Sequence, residues 1–334
     1  MRSFLDLTKD EQSTLVTKTS ELMEISPLLI EKDLWVTWAL NALFASNSYA
    51  HDLTFKGGTS LSKAFGYIQR FSEDIDVTID KGKLGYDPQK LASRKQREKQ
   101  ILILKEKAID YVDNMIVPHL RQVVKKSVSG NAEWEIKKDA NEPLNVRFHY
   151  PSLIKLPESN YIKQSILIEF GIRGEIEPHD TKTIRSYVQE KFEGIVKEAS
   201  IPIRVLSPVR TFWEKATLIH AENHRPPHKP IPDRLSRHYY DVFQLILQGV
   251  EKKAIKDIPL LLDVIKQKSI FFQSSWASYD TALPNTISLC PNERLQKDLE
   301  SDYKMTQQMI FGKAPSFEEI LQRIQKLEET LHRL

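Results

Sequence analysis

The chain is 334 residues long, 40% hydrophobic and 28% charged, with a formal net charge of +3. These figures describe an ordinary soluble globular protein, large enough for two closely packed units and only mildly basic as a whole. A single cysteine, Cys290, excludes an intrachain disulfide, and no run approaches the ~18–20 apolar residues that span a bilayer, so a cytoplasmic protein with no membrane partner is expected.

In chain order, the opening MRSFLDLTKDEQ carries no secretory apolar region. Residues 8–45 predict two helices divided near Ser26-Pro27, the second spacing Leu29, Trp35, Trp38, Leu40 and Leu43 for burial. Trp35, Trp38 and Phe44 read as core rather than as a base-stacking platform. A short strand over 53–56 leads into Gly57-Gly58, which allow positive φ and close backbone approach. Thr59-Ser60 are placed to cap a helix over roughly 60–69, whose first N–H groups would face an anion, with the Ser60 hydroxyl beside them. GGTSLSK lacks the spacing of a Walker loop. A second strand over 74–79 follows. Strands alternate faces, so Ser72, Asp74 and Asp76 project to one side while Glu73 and Ile75 project to the other. The Cα atoms of Asp74 and Asp76 would stand about 6.6 Å apart at ~3.3 Å per residue. Two carboxylates at ~4 Å repel by about 4 kcal/mol at an effective dielectric of ~20. Mg²⁺ reverses that sign, and it takes one or two carboxylates plus substrate phosphates. The glycine turn and the D-x-D strand together read as metal-dependent chemistry on a nucleoside triphosphate; separately, each reads as an ordinary turn and an ordinary acidic edge.

Residues 81–107 hold nine Lys/Arg against three acids, a local charge of +6 suited to a polyanion or to a solvated helix face. From Asp87 to Ser127 the pattern is helical, kinked or divided at Pro118. Residues 134–136, 146–150 and 165–172 predict strands that extend the sheet. In the last of these, Glu169 is the single acid of an apolar run. Burying it demands a metal, a raised pKa or a basic partner such as Arg147 or Arg173. A strand over 201–206 precedes a helix with Ser207 as N-cap and Pro208 at its first position, and Lys215 lies along that helix. His220, His224 and His228 imitate a zinc spacing, but Pro226-Pro227 interrupt the helix they would need. Arg225, Lys229, Arg234 and Arg237 suit either an RNA backbone or a solvated loop. The helix RHYYDVFQLILQG carries Asp241, either catalytic or paired with Arg237, and ends at Gly249. Residues 251–272, 293–311 and 316–333 predict further helices. Cys290 reads as structural.

The blocks EKDLWVTWAL, FKGGTSLSK, RFSEDIDV, SPVRTFWEKATLIH and RHYYDVFQL, in that order over residues 31–245, resemble the AbiEii/AbiGii toxin family of nucleotidyltransferases, within the polymerase-β-like superfamily. The resemblance implies an α+β protein: a nucleotidyltransferase domain with a mixed sheet flanked by helices over 1–206, and a mainly helical domain over 207–334 that closes over the nucleotide. It implies Mg²⁺-dependent transfer of a nucleoside monophosphate from an NTP to an acceptor, the 3′ end of tRNA in relatives, which inhibits translation and growth. A cognate AbiEi-like antitoxin and a role in abortive infection by phage come with it. By position, Gly57, Gly58, Thr59 and Ser60 match the phosphate loop, and Ser72, Asp74 and Asp76 the metal strand. Lys215 matches the family's helix lysine and Asp241 its second-domain aspartate. Glu169 stands as a third carboxylate on physical grounds.

The mechanism expected is a pair of Mg²⁺ ions about 3.5–4 Å apart on Asp74, Asp76 and the triphosphate. Glu169 or Asp241 would serve as base for an acceptor hydroxyl. Lys215, with Lys63 or Arg70, would hold the outer phosphates. Two other classes stay open: nucleotidylation (AMPylation) of a partner protein, and a non-catalytic interaction protein that keeps the fold.

Overall fold

A computed structural model of the chain describes residues 3–46, 48–72, 74–91, 93–128, 133–154 and 164–334; the expectations for Glu73 and for the Lys90 side chain lie outside the described residues. The chain divides into two units: Met1–Ala64 with Glu73–Val205, and Phe65–Ser72 with Leu206–Leu334.

The first unit opens with α1 (Lys9–Met23) and α2 (Pro27–Phe44). A capping box starts α1: the Thr8 hydroxyl accepts from the Glu11 N–H, and the Glu11 carboxylate accepts from the Thr8 N–H at 2.8 Å. Pro27 costs α2 nothing, because the first N–H groups of a helix have no internal partner. Fifteen of the 18 residues of α2 are buried, so it is a central helix and not an amphipathic surface one.

Seven strands form one mixed sheet: β1 (Leu53–Lys56), β2 (Ile75–Ile79), β3 (Glu135–Lys138), β4 (Asn145–His149), β5 (Ser165–Gly171), β6 (His179–Lys182) and β7 (Ile203–Leu206), in the order β3-β4-β5-β2-β1-β7-β6. β1 and β2 pair antiparallel, β2 runs parallel to β5, β1 runs parallel to β7, and β3, β4 and β5 are antiparallel. Alternation splits the sheet into unlike faces. Phe55, Val77, Val146, Phe148, Ile168 and Phe170 are buried on one face. There the Trp35 ring of α2 stacks on Tyr150, with centroids 5.4 Å apart, and meets Phe148 edge-on at 5.6 Å. The other face carries Lys56, Asp76, Asn145, Arg147 and Glu169, all half-buried.

Between β1 and β2 stands α3 (Gly57–Lys63), which stops short of the expected residue 69; Gly66, at φ +65, turns the chain soon afterwards. Between β2 and β3 runs α4 (Arg94–Tyr111), a π-helical turn over Val112–Ile116, and α5 (Val117–Ser127). Pro118 lacks an N–H and crowds the carbonyl one turn back, and the wider turn before it lets the helix continue unbroken. β6 and the short α6 (Tyr187–Lys191) carry no apolar periodicity, and neither is among the expected elements.

The second unit is helical: α7 (Pro208–Asn223), α8 (Ser236–Leu247), α9 (Val250–Ile255), α10 (Ile258–Phe271), α11 (Glu293–Gln307) and α12 (Phe317–Leu331). The single helix expected over 251–272 is two, because Asp257 caps a new start with Pro259 in its first turn. Asp302 of α11 caps α8, accepting from the Arg234 N–H at 2.7 Å and the Ser236 N–H at 2.8 Å. Residues 65–72 join this unit through the backbone: the Phe71 N–H donates to Met309 O and the Phe311 N–H donates to Gln69 O, each at 2.8 Å. Among the described residues no helix is long and apolar enough to cross a membrane.

Candidate active site

Strand register builds the site in the first unit. Lys56 of β1 lies opposite Asp76 of β2, Asp76 lies beside Glu169 of β5, and Glu169 lies opposite Asn145 of β4. Directly paired residues share a face, so these four form one polar row across four strands. Glu169 Oε1 accepts from Asn145 Nδ2 at 3.3 Å. Asp74 stands two residues before Asp76, just outside β2. Ser72 falls in the link before it, with the residues of the second unit.

The glycine turn closes against this row. Gly57 has φ +78, which side-chain-bearing residues rarely adopt, and a Cβ placed on it would stand 2.0 Å from Asp76 Oδ2. The Asp76 carboxylate therefore occupies the space that the missing side chain leaves. Thr59 and Ser60, both fully buried, spend their hydroxyls on the turn itself: Thr59 Oγ1 donates to Asp74 O, and Ser60 Oγ donates to Gly57 O at 2.8 Å. The first of these bonds ties α3 to the start of the carboxylate strand. With only seven residues, α3 has a small dipole, so the loop offers local backbone N–H groups rather than a helix field.

Lys63, expected near phosphate, ends α3 on the far side of that turn. Its ammonium pairs with Asp33 Oδ1 at 2.6 Å, donates to Arg185 O at 2.7 Å and sits 4.2 Å above the Tyr187 ring. Asp33 also accepts from the Tyr187 N–H at 2.7 Å. Burial pushes the Asp33 carboxyl above the ordinary range, against the pull of Lys63.

In the second unit, Arg70, Lys215 and Asp241 meet in one buried cluster. Arg70 grips Asp241 with two parallel bonds, Nε to Oδ1 at 2.7 Å and Nη2 to Oδ2 at 2.8 Å. Lys215 Nζ lies 2.8 Å from Oδ2 and 3.5 Å from His238 Nδ1. The guanidinium on Asp241 is thus that of Arg70, not that of Arg237 one helical turn away. Burial alone would raise the Asp241 pKa, but Arg70 and Lys215 outweigh it and hold the carboxyl well below the carboxylate range. Burial lowers the Lys215 pKa, and Asp241 resists. His238 is pushed well down by burial and then by Lys215 and Arg237. The cluster carries more positive than negative charge, which suits an anion.

His220 is a structural tie: its Nδ1 accepts from the Ser288 N–H at 2.9 Å and its Nε2 lies 2.9 Å from Ser278 O. The ring is consumed by backbone and is no zinc ligand. In the proline-rich loop, Arg225 pairs with Glu222 and covers the Trp276 ring at 4.5 Å. Glu328 of α12 accepts from the Leu289 and Cys290 N–H groups, which fixes the turn that holds the cysteine.

Mg²⁺ is the ion this chemistry implies, and the donors fit it. Asp76 and Glu169 offer hard oxygen from paired positions on one sheet face, with the Asp76 carboxylate lodged in a cradle that a Cβ would fill, and Asp74 stands two residues before Asp76 in the chain. Among the described residues no three His, Cys, Asp or Glu side chains gather as a metal cage. An ion here would complete its shell with substrate oxygens and water, as Mg²⁺ ordinarily does. Two members of the row, Lys56 and Asn145, are not among the expected site residues. Lys56 was visible as the cation directly before the glycines; Asn145 had no signal without the register.

Residues 38–323 match the family model described as "Nucleotidyl transferase AbiEii toxin, Type IV TA system". No curated protein matches the chain. Among solved structures, MenT4, a nucleotidyltransferase toxin from Mycobacterium tuberculosis, is 13% identical over 97% of this chain and 99% of its own, with a TM-score of 0.42. JHP933 from Helicobacter pylori is 15% identical over 90% of each chain, with a TM-score of 0.39.

Proposed function

The chain belongs to the AbiEii family of nucleotidyl transferase toxins, and on that premise we propose that it moves a nucleoside monophosphate from an NTP to the 3′ end of tRNA, inhibiting translation. The observation that carries this reading is the Asp76 carboxylate seated against the side-chain-free face of Gly57, which puts an acidic group and an exposed-backbone turn at one spot. Asp74 and Asp76, with Glu169 beside Asp76, would hold Mg²⁺. When bound, the ion supplies charge neutralisation for the phosphates and acidifies an attacking hydroxyl. Gly57 and Gly58 let a phosphate approach the backbone without a side chain in the way.

Glu169 is the residue we assign as proton acceptor for the acceptor hydroxyl, because its register sets it directly beside Asp76 in the polar row. Asp241 is unsuited to that task. A carboxylate already accepting from a guanidinium and an ammonium, and held ionised far below neutrality, has little affinity for a proton. Its part is to fix Lys215 and Arg70 as anion-binding cations. The family, a type IV toxin–antitoxin system, implies an antitoxin partner, and a cytoplasmic setting is part of the same proposal.

The test is incubation of the purified chain with each labelled NTP, total tRNA and Mg²⁺, followed by sizing of the product. Label on tRNA that disappears with EDTA and in Asp76→Ala is expected. Undiminished transfer by that variant overturns the assignment of the site, and label on protein alone overturns the acceptor.

A further inference from the structure

Lys56 has no assigned role, yet it stands in the carboxylate row itself. It is the last residue of β1 and the residue from which α3 departs, with extended backbone at φ −147 and ψ −166. Its register partner is Asp76, and residues opposed across antiparallel strands hold their Cβ atoms about 4.5–5.5 Å apart. Two carboxylates, Asp76 and Glu169, follow it along one line.

A second glycine makes room for the ammonium. A Cβ on Gly174 would fall 3.1 Å from Lys56 Nζ and 2.5 Å from Thr78 Oγ1. Gly174 is not among the glycines with positive φ, so space and not backbone conformation is what calls for glycine there. Thr78 lies two residues beyond Asp76 on β2 and faces the same side. The ammonium thus lies over the polar face, at the end of a flexible four-carbon stem and beside the Gly174–Thr78 position, Thr78 being the next residue after Asp76 on that face of β2.

We propose that Lys56 is a resident counter-ion that makes divalent-metal binding depend on the triphosphate. Without nucleotide, its charge offsets the carboxylate row and opposes entry of a second cation. A triphosphate brings enough negative charge to satisfy the lysine and the metal together, so metal and nucleotide enter cooperatively. Lys56 acts on phosphate and carboxylate electrostatics and transfers no proton. This inference rests on the reading that Asp74 and Asp76 hold the metal.

The experiment is a Mn²⁺ titration of the full chain followed by electron paramagnetic resonance of the free ion. It uses wild type, Lys56→Met, Lys56→Arg and Asp76→Asn, each with and without a non-hydrolysable NTP analogue. Wild type is expected to bind Mn²⁺ weakly alone and tightly with the analogue. Lys56→Met should bind Mn²⁺ alone about tenfold more tightly, the size of effect one nearby charge supplies at a protein surface. It should also bind the analogue about tenfold more weakly, so the cooperativity shrinks. Lys56→Arg keeps the charge and should stay near wild type. If Lys56→Met does not fold, Lys56→Gln removes the same charge on a polar stem and is read the same way. Unchanged Mn²⁺ affinity in the charge-removing variant, while wild type still binds metal with the analogue, overturns the role of Lys56 alone. Equal Mn²⁺ binding by wild type and Asp76→Asn with the analogue overturns the metal reading beneath it.

Discussion

At Gly57 two demands coincide, and a neighbouring glycine separates them. Both Gly57 (φ +78) and Gly66 (φ +65) are left-handed, but a Cβ on Gly66 meets nothing within 4 Å, whereas one on Gly57 strikes the Asp76 carboxylate. Gly66→Ala should therefore cost only the backbone term, on the order of 1–2 kcal/mol in urea unfolding, and leave nucleotide transfer intact. Gly57→Ala should add displacement of Asp76 and lower transfer about 100-fold, the scale of a 1 Å misplacement at a reacting centre. Equal activity in the two variants would remove Asp76 from the chemistry. Asp241 makes a different single-residue case. Asp241→Asn leaves Arg70 and Lys215 buried without their counter-charge and should lose about 3–5 kcal/mol at neutral pH. The sign with pH follows from the depressed pKa. The native carboxylate stabilises above its unfolded value and the gain is lost only as pH falls through the lower folded one, so the gap between wild type and variant should close only in strong acid.

Among the elements, α3 is held at both ends, and only one end was legible in the sequence. Its start was readable because Gly-Gly and D-x-D are chemically unusual residues in a short span. Its far end depends on Lys63 reaching Asp33 of α2 and Arg185 O just before α6, contacts of long sequence separation that no local pattern records. The same limit hid the pairing of Arg70, itself a candidate phosphate ligand, with Asp241 171 residues away. Six of the seven strands and the start of α7 were legible, the latter from Ser207-Pro208, because these are local consequences of backbone chemistry. The short helix α6 and the polar edge strand β6 were not, since tertiary contact and not propensity maintains them. Lys63 gives this a test. Lys63→Met leaves Asp33 buried with its ammonium gone and should lower stability by about 3–5 kcal/mol. Measured at a temperature where the variant is folded, its KM for NTP should match wild type; a selective rise in KM would instead put Lys63 on the phosphates.

For the whole molecule, Lys+Arg 48 and Asp+Glu 45 nearly cancel, so general self-repulsion changes little around neutrality. The pH response of stability is then left to the few buried and half-buried groups with shifted pKa values, and half-buried Glu198 carries the clearest shift among the acids raised toward neutrality. Burial first, and the Asp33 charge second, push its carboxyl up to about 7, while Lys63 pulls the other way. A folded pKa above the ordinary 4.5 means that the native chain binds more protons than the unfolded one between those values. Stability from this group is complete below about pH 4.5 and declines as pH rises through 7, by about 3 kcal/mol in all. Asp33, also raised by burial, adds to the same slope. Glu198→Gln fixes the neutral form. Its urea midpoint should match wild type near pH 4, exceed it increasingly from pH 5 to pH 7 and level off above that, with the m-value unchanged. Parallel profiles for the two proteins across that range would mean that Glu198 is ionised in the native state at neutral pH, and that the carboxyl is open to water rather than enclosed beside Asp33.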